Sequence, residues 1–197
     1  MRMKMMLGFA ITALLVAATA ATAQTYKVDP AHTSLAFSVR HLGINNVKGH
    51  FDDFAGTITM DQGAIREAHC SIEVKSINTG VKMRDDHLRS ADFFDASKHP
   101  VMTFKTKSVE KKDDQMVLVA DFTIRGVTKE MRLPAALAGP IKDQDGKTRI
   151  GLEGKLVINR KDYGINFDAA LETGVALVGE EVSIEVNIEA VRQDGEK

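Results

Sequence analysis

Apolar side chains recur at every second position in eight segments of the chain. In the clearest segment Leu118, Ala120 and Phe122 share one face, and the residues between them form the other. A period of two is typical of strands that have one covered face. The eight predicted strands span residues 35–39, 56–60, 68–74, 102–106, 116–124, 131–137, 150–158 and 182–190.

Compact turn sequences such as Asp61-Gln62-Gly63 and Arg125-Gly126 separate neighbouring strands, which favours short antiparallel connections. Eight long strands in an open sheet would leave two exposed edges, and closing the sheet removes both. The pattern therefore predicts an all-β fold, an extended eight-stranded antiparallel up-and-down β-barrel. A barrel of this size is either filled by side chains or holds one small ligand, and the residues leave both interpretations open.

Two longer connections interrupt the succession of strands and compact turns. Residues 78–99 carry Arg84, His87 and Leu88 at three- and four-residue spacing, which predicts one or two short helices between the third and fourth strands. Residues 160–180 form a second long connection with unusual apolar content. Because long structured loops in compact domains are often functional, both connections are candidates to cover a mouth of the barrel.

The first 23 residues have the pattern of a secretory signal peptide. Arg2 and Lys4 precede an apolar run, and Ala21-Thr22-Ala23 has the small-residue form of a cleavage site. The run is shorter than the roughly 20 apolar residues of a membrane span. We therefore predict a cleaved signal peptide at 1–23 and one exported domain at 24–197, with no membrane span.

Charge and cysteine content narrow the classes of partner. Removing residues 1–23 takes away two positive charges, so the net charge changes from -1 to -3. Acids and bases are interspersed without a basic block, which indicates neither nucleic acid nor an anionic membrane surface as a partner. The single cysteine, Cys70, cannot form an intramolecular disulfide, and it falls on the apolar side of its strand as a small buried hydrophobe.

The most concentrated chemistry lies at residues 84–94. Asp85, Asp86 and His87 offer a base with acids beside it, yet adjacent residues of a helix point in different directions and no nucleophile motif accompanies them. A second interpretation is that these charged residues cap short helices and pair across a rim. A third is that they stand at the entrance for a ligand. The six histidines show no ligand pair at helical spacing, so no metal site is predicted.

Several short motifs follow one another along the chain. They include Asp29-Pro30-Ala31-His32-Thr33-Ser34, Gly49-His50-Phe51, Ser76-Ile77-Asn78-Thr79-Gly80, Gly126-Val127-Thr128-Lys129 and Val178-Gly179-Glu180-Glu181-Val182. Each motif is weak alone, and the order makes them specific. Taken in this order they resemble the YceI family of exported lipid-binding proteins, also described as polyisoprenoid-binding proteins, and the resemblance spans nearly the whole chain after residue 23.

This resemblance implies a lipocalin-like barrel in the bacterial periplasm that has no enzymatic activity. Its apolar pore would hold a polyisoprenoid or another long-chain amphiphile, with no other cofactor, and a homodimer is one state the resemblance leaves open. Two rival interpretations remain, an enzyme that uses Asp85 and His87, and a filled barrel that acts through a protein partner.

Soft apolar residues on or near the predicted inner faces are the candidates to line such a pore, since methionine adapts to irregular apolar surfaces. The expected pore-lining residues are Phe37, Phe51, Phe54, Met83, Leu88, Phe93, Phe94, Met102, Phe104, Met116, Leu118, Phe122 and Phe167. The residues expected at the rim, to hold the segment or to meet a ligand head group, are Arg40, His41, Arg84, Asp85, His87 and Arg89. The aromatic end of 84–94 is thereby predicted to form a lid.

Overall fold

The fold is seen in a computed structural model that describes residues 23–112, 115–170 and 174–193. The predicted signal peptide lies outside these residues except for Ala23, so it stays a prediction. No helix in the described ranges is long and apolar enough to cross a bilayer.

Within the described residues one antiparallel sheet contains eleven strands. The strand that comes first along the chain pairs with the strand that comes last, which closes the sheet. The strands are β1 (Gln24–Val28), β2 (Ser34–His41), β3 (Asn45–Phe51), β4 (Phe54–Asp61), β5 (Ala64–Glu73), β6 (Ile77–Asn78), β7 (Val101–Lys112), β8 (Gln115–Ile124), β9 (Val127–Lys142), β10 (Thr148–Asn159) and β11 (Val178–Arg192).

Three pairs of these strands are interrupted halves of longer strands. A 3₁₀ turn at Pro30–His32 divides β1 from β2, Asp52 and Asp53 divide β3 from β4, and a 3₁₀ turn at Val74–Ser76 divides β5 from β6. β1 pairs with β4 while β2 pairs with β3, and β5 and β6 continue the same order. Counting each pair once gives eight strands in sequential order around a closed ring, which confirms the predicted barrel.

One α-helix, α1 (Lys82–Arg89), lies between β6 and β7. This is the connection between the third and fourth long strands, where the sequence predicts short helices. Turns follow at residues 91–94 and 96–98. A further 3₁₀ turn, Arg160–Tyr163, follows β10 and begins the second long connection.

The barrel interior has two apolar clusters, one toward each end. The cluster near β1 contains side chains that are almost fully buried, among them Tyr26, Ile58, Leu118 and Ile150. These side chains fill that end, which we call the closed end. The second cluster lies toward α1 and includes Phe51, from β3.

An ion cluster stands at the closed end. The Arg149 guanidinium contacts Asp143 at 2.6 Å, Asp29 at 2.9 Å and Glu189 at 2.5 Å. The pKa of Asp29 is lowered from 3.8 to about 2, mainly by its hydrogen bond with His32 and next by its hydrogen bond with Arg149. The cluster therefore joins the β1–β2 break to β10, β11 and the β9–β10 turn.

We expect acid to weaken the fold through Asp29. Because its folded-state pKa lies below the ordinary value of 3.8, the ionised carboxylate stabilises the fold above that pH, and the contribution is lost as the pH falls through about 2. Asp29→Asn should lower the free energy of unfolding at neutral pH and flatten its decline between about pH 4 and pH 2. Urea unfolding over a pH series measures this, with the exposed carboxylate of Asp52 replaced by Asn as the control. An identical pH dependence in both variants would contradict the assignment.

Candidate ligand-binding site

The barrel encloses an apolar cavity of about 180 Å³ that extends from the α1 end to the closed-end cluster. One water molecule needs only about 10–15 Å³ on this measure. The barrel is therefore not filled by its own side chains, and the structure favours the cavity over the filled core that the sequence left open.

Alternation along the strands supplies the cavity wall. Every second residue of a strand points to the same face, so four aliphatic residues of β11 face inward in a row. They are Val182, Ile184, Val186 and Ile188, and all four line the cavity. Leu152, Leu156 and Ile158 of β10 lie beside them.

Nine of the thirteen residues that the sequence predicts as pore lining are at the cavity wall. They are Phe37, Phe51, Leu88, Phe93, Phe94, Met102, Phe104, Leu118 and Phe122. Their contact with a ligand stays a prediction.

Four predicted lining residues lie elsewhere, and for these the placement was wrong. Met83 is 82% exposed on α1, because the helix turns Asp85 and Leu88 inward instead. Phe54 is buried in the second cluster without reaching the cavity, and Met116 packs on the closed-end cluster. Phe167 stacks on Phe93 with ring centroids 4.8 Å apart, outside the lining.

A covering segment, residues 79–99, lies across this end of the barrel. Its apolar side chains Leu88, Phe93 and Phe94 reach the cavity. Phe51 meets the ring of Phe94 edge-on at 6.2 Å, which joins the segment to β3. The segment therefore covers the cavity with the aromatic side that the sequence predicts as a lid.

The charged side chains of the covering segment hold it in place. Arg84 donates to the hydroxyl and carbonyl oxygens of Thr79, and Arg89 donates to the carbonyls of Lys75 and Ile77 at 2.8 Å. The buried Asp85 carboxylate accepts from the Thr79 backbone N–H at 2.9 Å and from its hydroxyl at 2.5 Å. These contacts match the pairing part of the second interpretation, whereas no side chain of the described residues caps the N-terminus of α1 at Val81.

Asp85→Ala should destabilise the protein by about 2 kcal/mol, because the partly buried Thr79 donors lose their acceptor. Asp86→Ala is the matched control, since this neighbouring carboxylate is exposed and pairs with Lys82 and Arg89. It should change stability little. Urea unfolding compares the two variants, and equal losses would contradict a specific role for Asp85.

His87 and Asp92 form a pair at 2.8 Å between His87 Nε2 and a carboxylate oxygen. The imidazole ring lies edge-on to Phe93 and Phe167, with centroids 5.0 Å and 5.2 Å away. The Ser90 hydroxyl accepts from the Asp92 backbone N–H at 3.3 Å. The contacts of the His87 ring join α1 to the second long connection.

Arg40 and His41 lie at the end of β2, beside its turn into β3. Arg40 donates to the Gly43 carbonyl at 3.1 Å and to the Asn46 side chain at 3.4 Å. His41 pairs across the sheet with Asn45 and Val178. All six predicted rim residues are thus at the α1 end of the barrel, and a head-group contact for them stays a prediction.

Arg160 is a functional candidate that the sequence did not single out. Its side chain is 4% exposed at the cavity wall, and burial lowers its pKa. The guanidinium donates to the carbonyls of Ile165 at 2.6 Å, Gly179 at 2.9 Å and Val178 at 3.2 Å. It therefore fastens the second long connection to the start of β11.

Cys70 also lines the cavity, and burial raises the pKa of its thiol to about 11. The thiol is therefore protonated and unreactive at neutral pH. In the described ranges one trio, Asp29, His32 and Glu189, has the spacing of metal ligands. It lies at the closed end, where Arg149 already neutralises both carboxylates.

A closed eight-stranded antiparallel barrel with an apolar cavity defines a lipocalin-like binding protein. The chain belongs to the YceI-like family, whose domain model matches residues 26–190. Protein YceI of Escherichia coli O157:H7 is 36% identical over 194 residues, which cover 96% of this chain and 98% of that protein.

Solved structures agree with this assignment. The Campylobacter jejuni YCEI protein is 33% identical with a TM-score of 0.68, and the match covers 79% of this chain and 90% of that one. A polyisoprenoid binding domain from Saccharophagus degradans has a TM-score of 0.62 at 19% identity, covering 85% of this chain and 98% of that chain. At that identity the second match shows the shared fold alone.

Proposed function

We propose that this protein is a non-catalytic, exported carrier or scavenger that sequesters a polyisoprenoid or another long-chain amphiphile in the barrel cavity. The observation that carries the proposal is the unfilled cavity, walled by aliphatic and aromatic side chains and covered by Leu88, Phe93 and Phe94. The description of the Saccharophagus degradans domain as polyisoprenoid binding supports the same ligand class.

Burial of the tail is the main favourable contribution to binding of such a ligand. Each methylene removed from water gains about 0.8 kcal/mol, so about ten enclosed carbons gain about 8 kcal/mol. Association costs at least several kcal/mol in lost freedom. The chain thus supplies most of the affinity, and a polar head group sets the orientation of the ligand.

Export to the bacterial periplasm is part of the proposal. Its support is the charged, apolar and small-residue order of residues 1–23. Fractionation of the producing cells should find the protein in the periplasm with Gln24 as its first residue. A full-length protein that stays in the cytoplasm would contradict export.

Fluorescence titration with cis-parinaric acid, a polyene long-chain amphiphile, tests the binding function. We expect saturable binding of one ligand per protein, and displacement by a long prenyl alcohol. No binding of either compound would overturn the proposal. A turnover that is lost in a folded, ligand-binding His87→Ala variant would instead support the enzyme interpretation.

A further inference from the structure

Strand pairing in the barrel wall is incomplete between two neighbouring strands. Pairing between β9 and β10 runs from Lys142 and Thr148 to a last pair at Ala135 and Gly154, and it stops there. Beyond this point residues 127–134 of β9 pair only with β8, and residues 155–159 of β10 pair only with β11. We call the space between these two stretches the β9–β10 gap.

The gap holds a groove of about 480 Å³ on the outer side of the wall. Met131, Leu156, Ile158 and Tyr163 line both the groove and the cavity, so these side chains alone separate the two. A movement of these apolar side chains, without any change in strand pairing, would join the groove to the cavity. On the outer side Val157 is 59% exposed.

Both ends of the barrel are closed more firmly than this side. The closed end is filled by buried side chains, and Arg149 joins three carboxylates across it. At the other end Arg125 donates to the carbonyls of Ala91 and Gly164, so it ties the covering segment to the second long connection. Opening either end requires breaking several buried or charge-assisted hydrogen bonds, whereas the gap has no strand pairing to break.

The groove lining carries three cations and two acids, and one of the cations can meet an acidic ligand head. Lys129, Arg132 and Lys155 line the groove together with the acids Glu130 and Asp162. Arg132 pairs with Glu110, and Lys155 pairs with Glu185 at 3.1 Å, whereas Lys129 has no ion pair with any described residue.

The position of Lys129 places its ammonium group at the gap. Lys129 pairs directly with Phe122, which lines the cavity, and paired residues leave the same face of a sheet. Its side chain is nevertheless exposed. Lys129 is therefore a cation on the inner face that solvent reaches at the end of the gap.

We propose that the β9–β10 gap is the portal through which a long-chain amphiphile enters and leaves the cavity, and that its acidic head rests in the gap beside Lys129. This inference rests on the proposed binding function and adds the route and the head-group class. The tail passes between Met131 and Ile158, and the head stays in contact with water.

A cleavable bridge across the gap tests the portal. Extending the register by three residues from Ala135 and Gly154 sets Arg132 opposite Val157, and both are exposed. In a Cys70→Ala background, Arg132→Cys and Val157→Cys are joined by a short bifunctional methanethiosulfonate, which mass spectrometry verifies. Association and dissociation of cis-parinaric acid should both slow about tenfold or more, and recover after reduction.

The matched control places the same bridge where the two strands pair. Ala136 and Glu153 are direct partners and both are exposed, so the Ala136→Cys and Glu153→Cys bridge should leave both rates unchanged. Unchanged rates with the bridge at 132 and 157 would overturn the portal while the binding function stands. If cis-parinaric acid fails to bind the unmodified protein, the binding function and the portal fall together.

A separate binding measurement tests where the head group lies. Lys129→Gln should weaken binding of cis-parinaric acid about threefold, the scale of an exposed ion pair, and leave its uncharged methyl ester unaffected. Lys27→Gln, an exposed lysine on β1 at the closed end, should change neither affinity. Equal effects of Lys129→Gln on the acid and the ester would overturn the placement of the head.

Discussion

Replacing Ile184 by tryptophan is expected to lower the affinity for a long-chain amphiphile about hundredfold. Ile184 lies in the middle of β11 and pairs with Leu156 on one side and Phe37 on the other, and all three line the cavity. An indole ring there takes the space of about four methylenes, which is about 3 kcal/mol of lost burial.

The control puts the same bulk on the other side of the wall. Glu185 is the next residue of β11, and its exposed side chain pairs with Lys155. Glu185→Trp should bind cis-parinaric acid like the unmodified protein, because it leaves the cavity unchanged. Circular dichroism and urea unfolding check that both variants fold. Equal affinity of folded Ile184→Trp and Glu185→Trp would show that the ligand does not occupy this cavity.

Arg160→Leu is expected to lower the free energy of unfolding by about 3 kcal/mol. Leucine fills part of the volume but leaves the carbonyls of Ile165, Val178 and Gly179 without their donor. Because these carbonyls join the second long connection to β11, the loss should also loosen the α1 end of the barrel. Hydrogen exchange of residues 161–170 should rise more than that of β4 and β5.

Two further variants separate charge from geometry at this position. Arg160→Lys keeps the positive charge but lacks the planar fork that reaches three carbonyls, so it should recover only part of the stability. Lys161→Leu removes the neighbouring, more exposed cation that pairs with Asp168 and Glu180, and should have a small effect. A loss as large in Lys161→Leu as in Arg160→Leu would contradict the role assigned to Arg160.

The period of two was sufficient to count the long strands, because each has one covered face along most of its length. It did not show where three of them break. Gly49 explains part of this for β3, since a Cβ there would lie 2.5 Å from the ring of Phe37. The inward position must stay empty, so the alternation is lost. β1 carries only two buried apolar residues, Tyr26 and Val28, too few for a periodic signal.

The same distinction applies to the candidate site: features set by neighbouring residues could be predicted, and features set by distant residues could not. Local pattern was enough to predict that residues 84–94 cover the barrel with Leu88, Phe93 and Phe94. It placed Met83 wrongly, because the eight residues of α1 are too few for the sequence to define which side of the helix faces inward. The role of Arg160 depends on carbonyls up to 19 residues away. The β9–β10 gap depends on where pairing stops, which no local pattern reports.

Native mass spectrometry with lipid extraction, applied to the protein purified from its own host, tests the central claim most directly. The cavity should carry close to one prenyl or acyl amphiphile per protein, and Ile184→Trp purified in the same way should carry little or none. A lipid-free protein that also fails to take up added cis-parinaric acid or a long prenyl alcohol would contradict the claim that this barrel is a lipid carrier.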